Sequence, residues 1–294
     1  MIEGRSATYR IVDITIWLAL IALGLSSLLP FVHVAAKSVS WAPAVESNQV
    51  GLWPIGFTMA NYIYLWGDQL FKGAFAISIA RVSTGVILQV LLAMLTGYAL
   101  SRDRLNLPGL GVMKGVMLFS MLFSGGLIPV FLAYKTLGLL NHFAVLILPG
   151  AFNVFFAVLV ANYFRGLPVE LSESAFLDGA SHFDVLFRVY MPLSLPSLAT
   201  VALFSAVGHW NAWFDGIIFL RQTESWPLQS YLYSKVTTAI MLQTRQYDPE
   251  LLRSMTPLAL RAALIVMAAI PIMLVYPFLQ RYFVHGLTLG ALKG

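Results

Sequence analysis

Apolar residues in this chain fall in long unbroken runs. Six stretches contain no Asp, Glu, Lys or Arg: Ile14 to Ala36, Val82 to Ser101, Gly115 to Tyr134, Thr136 to Phe164, Val189 to Phe214 and Ala262 to Gln280. A helix needs about 20 mostly apolar residues to cross a hydrocarbon core about 30 Å thick. Each run holds one such span once loop residues are trimmed from the longer ones. Backbone groups in lipid must be satisfied within a helix or a closed barrel, and runs without period-two alternation select helices. The pattern predicts an all-α membrane protein with six transmembrane helices. Residues 1–13 precede the first span, 14–280 form the membrane domain, and 281–294 form a tail.

Composition agrees. Hydrophobic residues make up 59% of the chain and charged residues 11%, against roughly 45–50% and about 25% in soluble domains. Arg5 and Arg10 precede the first run as they would in a signal peptide, but the run exceeds a typical h-region and lacks a cleavage site, so it reads as a retained helix. With no cysteine, disulfides and thiolate metal sites are excluded. The net charge of +5 is modest and forms no basic block, which gives no support to nucleic-acid binding.

An even number of spans puts both termini on one side. Lys and Arg bias is weak, but discounting long loops makes that side cytoplasmic. The long segments Lys37 to Phe71 and Arg221 to Thr256 are then external; both are rich in Trp, Tyr, Pro and Gln. Gly125-Gly126 with Pro129, Pro149-Gly150, Pro271 and Pro277 interrupt the spans. Such breaks serve as packing kinks or line a cavity where other groups re-satisfy the backbone.

The segment 165–193 is too polar to span. Pro168 suits a first helical turn, Glu170 and Glu173 complement a helix N-terminus, and Gly179 supplies a turn. A second helix follows, with Phe183, Leu186, Phe187 and Tyr190 on one face and an Asp184–Arg188 pair at i, i+4. The pattern Glu173-Ser174-Ala175, three residues, Gly179, nine residues, Val189-Tyr190-Met191-Pro192 resembles the EAA loop of binding-protein-dependent ABC importer permeases. Ser174 stands where that family usually has Ala.

The resemblance implies a type I importer permease fold in which this loop is the coupling helix-turn-helix seated on a cytoplasmic ATPase. Glu173, Ser174, Ala175, Asp178, Gly179, Ala180 and Pro192 would form the coupling site, with Glu173 paired to an ATPase arginine. Ser124 to Gly150 and Ala206 to Leu220 are similar to maltose-type permeases for oligosaccharides and polysaccharides, alginate permeases among them. The end of the chain, Gly286, Leu287, Thr288, Gly290, Lys293 and Gly294, resembles that class's regulatory tail. The family implies a second homologous permease, two ATPase subunits carrying ATP and Mg, an extracytoplasmic solute-binding protein, a carbohydrate substrate and an inner-membrane location.

A sugar path needs aromatic faces and polar groups in a mostly apolar cavity. His209, Trp210, Asn211, Trp213 and Asp215 offer both in the fifth run, with Asn211 and Asp215 one helical turn apart. They compete with a plain interfacial belt of Trp, and Asp215 lies six residues from Arg221. Gln89, Asn153 and Asn162 suit helix–helix hydrogen bonds. No GxxxxGK[ST] loop, HExxH or carboxylate cluster is present, so neither ATP hydrolysis nor a catalytic or metal site is expected on this chain, and no cofactor. An ABC permease for a peptide or other non-sugar solute shares every feature of the architecture. A secondary transporter would instead place charges deep in several spans.

Overall fold

The computed structural model describes residues 7–102, 109–237 and 255–291. The chain forms two compact units, Met1–Asp68 with Ser234–Ile270, and Gln69–Tyr233 with Pro271–Gly294. Of the residues named from the sequence, Arg5, Lys293 and Gly294 lie outside the described residues.

In the first unit, helix α1 (Ala7–Ser38) is apolar on every side and exposed along most of its length, with Trp17, Leu18 and Leu23 open, before its last turns are buried at Ala36 and Ser38. A helix hydrophobic all round belongs among other helices or in a bilayer. The predicted external segment is folded. Helix α2 (Ala42–Glu46) and helix α3 (Ala60–Gly67) follow α1, and the chain between them turns back on the end of α1. Trp41 N–H donates to Ile55 C=O at 3.0 Å, Thr58 N–H to Val39 C=O at 2.9 Å, and the Asn61 amide to Ser38 C=O at 2.9 Å. Burial pushes the Tyr62 phenol up, opposed by its hydrogen bond with Ser38. Ala36, Ala44, Val45, Val50 and Ala259 form the unit's small core.

The second unit is built round helix α4 (Gln69–Ser101). It begins well before the predicted Val82, so Lys72 lies in its first turn and Arg81 lies in its interior and not at its edge. Helices α5 (Leu110–Leu122) and α6 (Leu127–Thr136) replace the predicted single span from Gly115, meeting at a bend of 119°. Gly126 takes a φ of +82° at that break, a region open to glycine. Two 3-10 turns, Phe143–Leu146 and Leu148–Gly150, lead through a 47° bend into helix α7 (Val154–Arg165). Then come helices α8 (Val169–Leu177), α9 (His182–Leu193) and α10 (Leu195–Asn211), the last two bent by 82°. Short helices α11 (Phe214–Phe219) and α12 (Leu228–Thr237) follow. Helix α13 (Pro257–Ala291) gives its residues through Ile270 to the first unit and the rest to the second.

Among the described residues, three helices are long and apolar enough to span unbroken, and the number reaches six when each bent pair is one span. Close helix contact depends on small residues, as it does wherever lipid competes for apolar surface. A Cβ on Gly97 of α4 would sit 2.9 Å from Val160 Cγ1 of α7. A second on Gly85 would collide with the His209 ring of α10. Between these helices and α9 lies the main core, including Met94, Phe164, Leu186 and Val201.

Candidate functional site

The loop 165–193 folds into two helices joined at Gly179, as the sequence predicts, but Pro168 is the N-cap of the first and not part of its first turn, and Glu173 lies in mid-helix and not at the N-terminus. Helix α8 carries Glu170 in its first turn and ends on Asp178. Gly179 N–H donates to Phe176 C=O and Ala180 N–H to Ala175 C=O, both at 3.0 Å, and Gly179 has a φ of +81°. This paired closure with glycine in the left-handed position stops the helix and satisfies its last carbonyls. Helix α9 then opens on a capping box. Asp184 N–H donates to the Ser181 hydroxyl, and Ser181 N–H donates back to the Asp184 carboxylate. The Ser181 hydroxyl also donates to that carboxylate at 2.6 Å; it and the Ser181 N–H hold the Asp184 carboxyl below its usual range, and Arg188 pairs with it at 3.4 Å as predicted.

The two faces of the helix-turn-helix are chemically distinct. Glu173, Ser174, Asp178, Gly179 and Pro192 are exposed, while Ala175 and Ala180 are half-buried beside the core. Of the predicted apolar face of α9, Leu186 and Tyr190 are buried, but Phe183 is 66% and Phe187 40% exposed. Val185 takes their place inside. The cause is a π-helical stretch, Val185–Tyr190; its wider turn moves the stripe away from i, i+3, i+4 spacing. What results is a short amphipathic arm with an open acidic and small-residue surface, capable of receiving a complementary partner.

The substrate-path candidates separate into two groups. Helix α10 ends at Asn211, Ala212 is extended, and α11 starts afresh at Phe214. Asn211 and Asp215 are therefore not one turn apart on a single face. His209 and Trp210 are buried, and Trp210 meets Phe75 edge-on with ring centroids 6.0 Å apart. Asp215 pairs with Arg81 through both terminal guanidinium nitrogens, and Arg81 also donates to Ala212 C=O at 3.2 Å. Arg221 is not its partner. Asn211 is exposed; Trp213 is 37% exposed and stacks on Tyr233 at 4.0 Å and 16°. The open aromatic pair suits a sugar face, and the buried group holds the break between α10 and α11.

Arg81 and Arg102 are residues beside the candidate groups that sequence reading passed over. Each was placed outside a run because charge ended the run. Gln89 donates its amide to Gly150 C=O, as expected of a polar group between helices. Asn153 instead caps α7 by accepting from Phe156 N–H at 3.3 Å, and Asn162 accepts from Arg165 within α7 at 2.9 Å. Among the described residues no His, Asp and Glu cluster could hold a metal. The predicted tail from Gly286 through Gly290 continues α13, which runs to Ala291.

Comparison with known proteins places these features. The family model of the binding-protein-dependent transport system inner membrane component matches residues 53–289. The chain is 36% identical over 288 residues to the polygalacturonan/rhamnogalacturonan transport system permease protein YtcP of Bacillus subtilis (strain 168), covering 97% of this chain and 99% of that protein. It is 35% identical over 286 residues to protein LplC of the same organism, covering 97% and 96%. A solved bacterial ABC transporter involved in the import of the acidic polysaccharide alginate contains a chain that superposes with a TM-score of 0.88 at 32% identity. That match covers 95% of this chain and 99% of the other.

Proposed function

The chain belongs to the family of binding-protein-dependent transport system inner membrane components, and from that premise we propose that it is one permease subunit of an ATP-driven importer. It moves an oligosaccharide or polysaccharide across the bacterial inner membrane by alternating access. The observation that carries this reading is the exposed helix-turn-helix α8–α9, with Glu173 on its open surface and Gly179 closing its turn. A transport subunit without its own phosphate loop needs a surface through which hydrolysis elsewhere can act, and this arm supplies one. Glu173 pairs with an arginine of a cytoplasmic ATPase in a charge-assisted contact. Two ATPase subunits carry the ATP and Mg, a second permease completes the pathway, and a solute-binding protein delivers the substrate. Both termini are cytoplasmic, and the end of α13 from Gly286 approaches the ATPases.

The substrate class is supported by the relatives named for polygalacturonan/rhamnogalacturonan and for alginate; acidic polysaccharide fragments are the first to test. Uptake of labelled alginate oligosaccharides, polygalacturonan fragments and a peptide is to be compared in cells with and without this chain. Loss of carbohydrate uptake alone is expected. Unchanged carbohydrate uptake with loss of peptide uptake would replace the sugar reading by the peptide one.

A further inference from the structure

Arg102 stands one residue past the last turn of α4, and the coupling loop closes round it. Its guanidinium carbon lies 4.9 Å from the centroid of the Tyr98 ring, 5.1 Å from that of Tyr190 and 5.6 Å from that of Phe176. One terminal nitrogen donates to the Ser172 hydroxyl and the other to the Tyr98 hydroxyl, each at 3.1 Å. The Tyr98 hydroxyl also lies 3.0 Å from Nδ1 of His182. One cation thus touches the end of α4, helix α8 through Ser172 and Phe176, and helix α9 through Tyr190. Among the described residues no carboxylate pairs with it. Its Nε is buried without a partner, in keeping with a guanidinium whose surroundings are chiefly aromatic.

Helices α7 and α10 are joined to α8–α9 by the chain itself and must follow any movement of the loop. Helix α4 is remote in sequence and has no such obligation. Apolar packing of Met94 and Tyr98 against Leu186 and Tyr190 resists separation, but such packing is non-directional and permits sliding. A planar guanidinium with two directed hydrogen bonds and aromatic contacts fixes register as well as distance.

We propose that Arg102 is the positioning residue that fastens the coupling loop to the inner end of α4, so that a push on α8 moves α4 as one body. This rests on the reading of α8–α9 as the ATPase-docking arm. The chain has no cysteine, so cysteines introduced at Leu177, 89% exposed, and Ile87, 69% exposed, can carry two spin labels and report one distance from loop to helix. The labelled chain is purified with its natural partners from its host membranes into lipid nanodiscs. The distance is measured without nucleotide and after trapping with ATP and vanadate.

With Arg102 present, one narrow distance that is the same in both states is expected. Arg102→Met should lose the narrow distance and give a broad distribution while ATP hydrolysis stays at the level of the identically labelled Arg102 protein, because the substitution itself leaves the docking surface unchanged. Arg102→Lys should fall between, keeping the cation over the rings but not the two paired donors. Phe176→Leu removes one ring and leaves both hydrogen bonds, and it decides the matter if Arg102→Met is not recovered. A narrow, unchanged distance in the recovered variants, with or without a lower yield, would overturn the proposal alone. A wild-type preparation that hydrolyses no ATP would overturn the docking reading and the proposal with it.

Discussion

A buried arginine inside a membrane-spanning helix has to be explained by its partner. Arg81 is 3% exposed, and Asp215 reaches it from the break between α10 and α11. Removing one member of a buried pair strands the other charge, at a cost of about 3–5 kcal/mol, whereas replacing both by apolar residues of similar volume is often neutral. Asp215→Asn should therefore lower the melting temperature of the purified protein sharply, and Arg81→Met with Asp215→Leu should recover most of the loss. A single variant as stable as the wild type would show that the pair contributes nothing to the break. Trp213 makes a different prediction, because it is partly open and stacked on Tyr233. If its ring meets sugar, Trp213→Ala should weaken uptake by about 1 kcal/mol of contact, or several-fold in apparent affinity, with yield unchanged. The buried Trp210 is the control, since Trp210→Ala should lower yield instead. The reverse pattern would remove Trp213 from the path.

At the scale of elements, what the sequence revealed was local. The turn at Gly179 could be read from its residues, because a left-handed position followed by a serine-capped helix has a short-range signature. Gly179→Ala adds a Cβ that meets nothing within 4 Å, yet the φ of +81° remains, and an L-residue there costs about 1–2 kcal/mol. This substitution should leave membrane insertion intact, weaken ATPase binding by loosening α8 against α9, and lower loop protection in hydrogen exchange. Unchanged protection would mean that the turn is held by its neighbours and not by glycine. The bends of 119° between α5 and α6 and 82° between α9 and α10 were not legible. Apolar runs report length and say nothing of direction, and the glycines and prolines that mark a break fit a kink equally well. Arg81 escaped for a related reason. A charge terminates a run on paper, but a remote carboxylate can draw it into a helix. The π-helical turns of α9 likewise moved Phe183 and Phe187 outward, which a fixed helical period could not anticipate.

At the scale of the whole molecule, the long apolar helices and the polar helix-turn-helix α8–α9 occupy separate stretches of the chain. The uncharged runs account for the helices, the small residues Gly85 and Gly97 let α4 touch α10 and α7 closely, and the acidic and small surface of α8 remains open. Family membership was legible from the loop because its motif is contiguous; the placement of the five fifth-run candidates was not, because they divide between buried and exposed positions once α10 ends. The account turns on Glu173. Its most direct test is ATPase co-purification with tagged Glu173→Lys chain, measured beside ATP-driven uptake in membrane vesicles. The variant should insert at wild-type levels while both ATPase recovery and uptake fall severely, since a charge-assisted pair becomes a like-charge contact. Wild-type recovery of the ATPase together with wild-type uptake would contradict the claim that α8 couples this chain to its motor.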